Sequence, residues 1–255
     1  MRQYLSARMI LPVCALAASI LFLGAPSEAV EIASLTEKIT VDSSGAAKVE
    51  MTVMVAKAEP GILLIPSSFK TAENLKIDGL PDATVALVEK EGIRAFAITG
   101  KEAPAEKQAI KLSFVAPGFY DWKGEKLADF GNRSMQYRFM NTLPTKVQSY
   151  KLDLMLPAGF VVNTVDDSQP KLTSKSPAPP YQIIRNGDQY GITIKASKLG
   201  VGDYSMVRIR FKDGSKSAAF LIGALAVCAL YLFGFRDAIR PTVGTLQPKP
   251  AGDGH

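Results

Sequence analysis

The chain has 255 residues, with 30 Lys and Arg against 24 Asp and Glu, a formal net charge of +6 and 47% hydrophobic residues. Its single histidine is the last residue, His255, and its two cysteines, Cys14 and Cys228, lie near the two ends. These counts exclude histidine-dependent nucleophiles and zinc sites from the middle of the chain, and charges of alternating sign argue against nucleic acid as a partner.

Residues 1–29 have the pattern of a secretory signal peptide. Arg2 and Arg8 come before an apolar stretch at 9–23, and small residues surround the predicted cleavage point after Ala29. An uncleaved signal anchor is the alternative, and both interpretations export the middle of the chain. That part contains no cysteine, so its own apolar core must stabilise it.

Alternating apolar and polar residues dominate 30–116. The run KVEMTVMV places Val49, Met51, Val53 and Val55 on one face, which indicates a half-buried strand. It follows EKITV and a turn at 43–45, so the pair is predicted to form a hairpin. Further short strands and a second hairpin near Glu91-Gly92 complete a first β-sandwich unit.

The alternation stops at 117–134, a loop that contains the only tryptophan of the chain. Long loops on rigid β scaffolds are often binding elements, and aromatic rings with nearby charges suit sugar faces or protein hot spots. The alternative is that the aromatic rings fill the junction between two sandwiches. The candidate binding residues are Phe119, Tyr120, Trp122, Lys123, Phe130 and Arg133.

Strands resume at 135–212, where Asn186-Gly187 is the strongest turn signal of the chain and predicts a third hairpin. No helix is predicted between residues 30 and 212, so the fold class is all-β. We predict a tandem immunoglobulin-like β-sandwich ectodomain, with units at 30–116 and 135–212 joined by the 117–134 loop. A single enlarged sandwich is the alternative.

The uncharged run at 217–235 predicts one C-terminal transmembrane helix, because 19 residues at 1.5 Å each make about 28 Å of helix. Ala219 and Gly223 form a small-xxx-small pair, a candidate helix-packing face. The prediction is a single-pass type I membrane protein, with residues 30–216 periplasmic or extracytoplasmic and a disordered cytoplasmic tail at 236–255.

No residue pattern indicates a cofactor, a metal site or a catalytic site. Paired carboxylates among Asp121, Glu125 and Asp129 are a minor glycosidase hypothesis. The expected function is therefore non-enzymatic: a membrane-anchored accessory or scaffold subunit that binds another cell-envelope protein. The alternative is a carbohydrate-binding or adhesive surface receptor that uses the 117–134 loop.

Overall fold

The computed structural model describes residues 30–57, 61–100, 108–122, 132–171 and 180–235, without the side chains of 215–220. The predicted signal peptide at 1–29 and the predicted tail at 236–255 lie outside these residues. Both stay predictions.

The described residues form thirteen strands and one helix. The bounds are β1 (Glu31–Val41), β2 (Ala47–Lys57), β3 (Ile62–Pro66), β4 (Glu73–Asp78), β5 (Thr84–Lys90), β6 (Ile93–Thr99), β7 (Ala109–Ala116), β8 (Arg133–Met140), β9 (Lys146–Met155), β10 (Phe160–Gln169), β11 (Tyr181–Asn186), β12 (Gln189–Leu199), β13 (Tyr204–Asp213) and α1 (Gly214–Gly234). The three predicted hairpins, β1–β2, β5–β6 and β11–β12, are confirmed as antiparallel pairs.

The strands form three sheets. The largest has seven strands in the order β11-β12-β9-β1-β2-β7-β4, and the two others have the orders β10-β13-β8 and β3-β6-β5. At the centre of the seven-stranded sheet, β1 pairs antiparallel with β2 on one side and parallel with β9 on the other. The parallel pair joins strands from the two halves of the chain.

The tandem arrangement of two immunoglobulin-like sandwiches is therefore wrong. Strands from 30–116 and from 135–212 share one sheet, and a single compact unit extends to Lys212. The physical reason is that β1 uses both of its edges, and the second edge takes a partner more than 100 residues away. Alternation along a strand reports which face is buried but does not report which strand lies beside it.

Both three-stranded sheets pack on the same face of the seven-stranded sheet. Phe96 of β6 lies 5.1 Å from Phe114 of β7, and Phe139 of β8 lies 4.4 Å from Tyr150 of β9, between ring centroids. The inward residues of β1, β2, β7 and β9 share one face through their register. The result is a two-layer sandwich with one continuous core.

The prediction of a C-terminal transmembrane helix is also wrong. Among the described residues, no helix combines the length and the apolarity that a membrane crossing requires. The prediction used the absence of charge along 217–235 as its criterion, whereas a membrane crossing requires high apolarity sustained over the whole length of the helix. The predictions of a single-pass type I topology and of an integral membrane protein depended on this helix, and they are therefore wrong as well.

Candidate functional site

Four of the six predicted loop residues are described, and they lie in or beside the core. Tyr120 is 8% exposed, and its ring contacts that of Trp122 edge-on with centroids 4.6 Å apart. Trp122 also packs against Phe160 and Phe211, at 5.1 and 6.0 Å. Lys123 and Phe130 lie outside the described residues.

Phe119 and Arg133 also contact aromatic rings of the protein. Phe119 packs against Tyr137, with ring centroids 5.8 Å apart. The Arg133 guanidinium lies 5.1 Å from the Trp122 ring centroid, and its Nη1 donates to the Trp122 carbonyl oxygen at 3.0 Å. These contacts favour packing over ligand binding for the described part of the loop, because the aromatic faces are occupied by protein.

The turn between β1 and β2 holds this segment in place. The backbone N–H of Tyr120 donates to the carbonyl oxygen of Gly45 at 2.9 Å. Gly45 has φ +90°, and a Cβ there would lie 2.0 Å from the Tyr120 carbonyl oxygen, so only glycine fits. The segment thus closes one end of the sandwich, next to the first hairpin.

The candidate helix-packing face is only half described. Ala219 belongs to the part of α1 without described side chains. A Cβ at Gly223 would meet no atom within 4 Å, so nothing among the described residues packs on that glycine. Helix packing through this pair stays a prediction.

The first feature that the sequence analysis missed is the free edge of the seven-stranded sheet at β11. Among the described residues, β11 pairs only with β12, in an uninterrupted register from Tyr181 to Asn186. Ile183 is 57% exposed, more than any other large apolar side chain within the described strands. The sequence signal was the run Ile183-Ile184, which breaks the alternation expected of a half-buried strand.

The second missed feature is a buried carboxyl, Glu37, in the middle of β1. It is 0% exposed, and its Oε2 accepts hydrogen bonds from Tyr150 Oη at 2.6 Å and Tyr137 Oη at 2.8 Å. Burial raises the pKa of Glu37 to about 7, and the two hydroxyls lower it only in part. The sequence signal for this burial was the period-two alternation of β1, which places Glu37 on the inward face together with Leu35 and Ile39.

The described residues offer little else of chemical interest. They include no group of three or more His, Cys, Asp or Glu side chains that could hold a metal ion. Of the three loop acids, only Asp121 is described, and Glu125 and Asp129 lie outside the described residues. The glycosidase hypothesis therefore stays untested, as does the expectation of a non-enzymatic protein.

Comparison with known proteins shows no family. No protein-family model matches the chain, and no curated protein is similar to it. A solved structure of a putative protease from Parabacteroides distasonis is similar over 71% of this chain, with 10% identity and a TM-score of 0.36, and this chain covers 40% of that one. The yeast δ-COP-I μ-homology domain, solved with a Dsl1 WxWxV peptide, is similar over 74% of this chain and 78% of its own, with 13% identity and a TM-score of 0.20. Such low scores carry no argument about function.

Proposed function

We propose that this protein is a non-enzymatic interaction subunit that binds an extended segment of a partner protein by strand addition at β11. The single observation that carries this proposal is the regular, partly apolar edge strand at the end of a seven-stranded sheet. An unpaired edge presents a row of backbone N–H and C=O groups, which is a template for another strand.

The hydrogen-bond pattern identifies which backbone groups face outward. Lys195 donates its N–H to the Pro180 carbonyl oxygen at 3.3 Å, which makes these two residues a hydrogen-bonded pair. Pairs alternate along an antiparallel ladder, so Tyr181, Ile183 and Arg185 point their N–H and C=O groups away from β12. These three residues would bond to the added strand.

The opposite edge of the same sheet lacks this regularity. The pairing of β4 with β7 shifts register between Glu73 and Lys76, and Asn74 has φ +54°. Bulges and charged side chains are the devices by which proteins prevent pairing at an edge. The contrast supports β11, and not β4, as the binding edge.

The side chains of β11 indicate what kind of segment would bind at this edge. Its six residues include one cation, Arg185, and no acid, and Ile183 and Ile184 supply apolar surface on the two faces. An extended segment that alternates apolar and acidic residues fits this edge by charge and by pattern. The alternative hypothesis, carbohydrate binding by the 117–134 loop, gains no support from the packed rings of Tyr120 and Trp122.

The experiment selects linear peptides from a random displayed library on the purified full chain. It then measures the affinity of the selected peptides for the wild type, Ile183→Pro and Ile183→Ala. Proline removes the outward N–H of residue 183 and leaves the β12 ladder intact, whereas alanine keeps the N–H. We expect binding to fall at least tenfold with proline and by a smaller factor with alanine.

A proline elsewhere in the sheet serves as the control: Ile77→Pro on the opposite edge strand, β4, which we expect to leave the affinity unchanged. Circular dichroism and the unfolding midpoint confirm that each variant is folded. Equal affinity of the wild type and Ile183→Pro would refute strand addition at β11, as would a failure of the library to yield any peptide that competes at this edge.

A further inference from the structure

Glu37 connects both layers of the sandwich through a single oxygen atom. Tyr150, which donates to its Oε2, belongs to β9 of the seven-stranded sheet, and Tyr137, which donates to the same atom, belongs to β8 of the covering sheet. The other oxygen, Oε1, is buried and has no hydrogen-bond partner among the described residues. Half of the acceptor capacity of this carboxyl is therefore unused.

The surroundings of Glu37 are almost free of charge. Its register partners on β2 and β9 are Met51 and Leu152, and the β8 residues on either side of Tyr137 are exposed on the outer face. From the segment before β4, the Ser68 hydroxyl reaches Tyr137. Among the described residues, Glu37 is the one fully buried charged group, so no cation offsets its charge.

Tyr137 and Tyr150 keep their hydroxyl protons near neutral pH, so both remain hydrogen-bond donors. Burial raises the pKa of both well above 10, and the nearby Glu37 raises it further. Only the carboxyl can change its protonation state near neutrality. The neutral carboxyl needs little solvation. The ionised carboxylate has two donors on one oxygen and, within the part of the chain that the structure describes, none on the other.

We propose that Glu37, Tyr137 and Tyr150, here called the Glu37 cluster, form a proton-binding site that holds β8 against β1 and β9 while the carboxyl is neutral and loosens this contact when it ionises. The proton leaves to solvent through transient opening of the two layers. The cluster would thus make the rigidity of the sandwich depend on the pH around the protein.

The direction of the effect follows from linkage. The ordinary pKa of the carboxyl is 4.5, and burial raises it to about 7 in the folded protein. Its proton therefore stabilises the fold fully below pH 4.5, and this stabilisation is lost as the pH rises through about 7. Between pH 5 and 8.5 we expect the unfolding equilibrium constant to rise on the order of 100-fold from this group alone.

Composition makes this range favourable for a test. The chain has one histidine, His255, at its last position, so almost no other side chain titrates between pH 5 and 8.5. The experiment measures denaturant unfolding of the full chain across this range for the wild type and for Glu37→Gln. Glutamine can accept the tyrosine hydrogen bonds but cannot ionise.

Glu50→Gln is the matched control, because Glu50 lies on the polar outer face of the neighbouring strand β2. Its carboxylate pairs with Lys48 at 3.1 Å and with Lys38 at 3.7 Å, and the Lys48 contact lowers its pKa. Glu50 is therefore ionised throughout the range, and its removal leaves the pH dependence of the wild type unchanged. Glu37→Gln is expected to flatten the profile, even if the variant is less stable overall.

Two measurements on the wild type keep the proposal testable if Glu37→Gln does not fold. Carbon NMR of labelled glutamate carboxyls should show one group that titrates near pH 7. Hydrogen exchange, corrected for intrinsic rates, should accelerate in β8 relative to β12 above that pH. A flat unfolding profile for the wild type, or the titration of every glutamate near 4.5, would overturn the proposal.

Discussion

The ring of Tyr150 stacks on the ring of Phe139, with centroids 4.4 Å apart and planes inclined by 15°. This contact joins β9 of the seven-stranded sheet to β8 of the covering sheet. Both rings are buried, and the Tyr150 hydroxyl continues to Glu37 at 2.6 Å. The same tyrosine therefore holds the two layers by packing and by a hydrogen bond.

Phe139→Ala should lower the free energy of unfolding by about 3–5 kcal/mol, because it removes a buried ring and leaves a cavity beneath Tyr150. Denaturant unfolding at constant pH measures this loss. Arg138→Ala, one residue away on the exposed face, is the control and should cost at most about 1 kcal/mol. Similar losses for the two variants would show that the stacked pair does not join the layers.

Gly45→Ala should be far more damaging than Gly92→Ala. Both glycines have positive φ, +90° and +81°, so alanine strains the backbone at each by about 1 kcal/mol. At Gly45 the new Cβ would also lie 2.0 Å from the Tyr120 carbonyl oxygen, whereas at Gly92 it meets nothing within 4 Å.

The unfolding midpoints of the two variants separate strain from the lost contact between the first hairpin and Tyr120. We expect an additional loss of about 2 kcal/mol or more for Gly45→Ala, with a change in tryptophan fluorescence, since Trp122 Cδ1 lies 3.1 Å from the same Cβ position. An equal effect of both substitutions would contradict the described docking of this segment.

Tyr120→Phe should leave the protein as stable as the wild type or raise its stability by about 1 kcal/mol. The Tyr120 hydroxyl is buried and has no hydrogen-bond partner in the described ranges of the chain, so its removal abolishes a desolvation cost and keeps the ring contacts. Thermal and denaturant unfolding both measure the effect. Tyr120→Leu, which loses the edge-on contact with Trp122, is the comparison and should destabilise. A clear loss of stability in Tyr120→Phe would reveal a partner for the hydroxyl.

Asp42 should make the first hairpin sensitive to acid. Its Oδ1 accepts hydrogen bonds from Ser44 Oγ at 2.6 Å, Ser44 N at 2.8 Å and Ala46 N at 3.1 Å. These bonds lower the pKa of Asp42 below 3.8, and the bond from the Ser44 hydroxyl has the largest effect. The stabilisation is present above pH 3.8 and is lost as the pH falls through the lower value in the folded protein.

Asp42→Asn keeps an acceptor oxygen but cannot titrate, so its stability deficit relative to the wild type should shrink between pH 6 and pH 2.5. Urea unfolding at the two pH values measures the two deficits. Asp42→Ala, which loses the acceptor as well, should cost about 1 kcal/mol at pH 6. A deficit that is the same at both pH values would remove the assigned role of the charge.

Local sequence was sufficient for much of the β structure. Period-two alternation and turn residues correctly predicted the hairpins at β1–β2, β5–β6 and β11–β12, because both signals depend on neighbours within a few residues. The strand β10 was missed, since its mixed burial leaves no clear alternation. The uncharged run at 217–235 predicted a membrane helix from composition alone, and the described helix does not meet that requirement.

The candidate sites depended on contacts that no local pattern contains. The alternation of β1 shows in the sequence that Glu37 is on the inward face, but its two hydrogen-bond partners lie 100 and 113 residues away along the chain. The aromatic residues of the 117–134 loop were visible as a group in the sequence, while the packing of Trp122 against Phe160 and Phe211 was not. The position of β11 at an edge follows from the spatial order of the seven strands, and no local sequence pattern contains that order.

The sequence by itself determined that the chain is built of strands, and which side chains of each strand face inward, because the pleat alternates at every residue. Only the tertiary structure decided that β1 pairs with β9, which merges both halves into one sandwich, encloses a carboxyl in its core and leaves β11 at the edge. The physical reason is that backbone hydrogen bonds between strands are the same for any sequence, so the choice of partner is made by the packing of distant side chains.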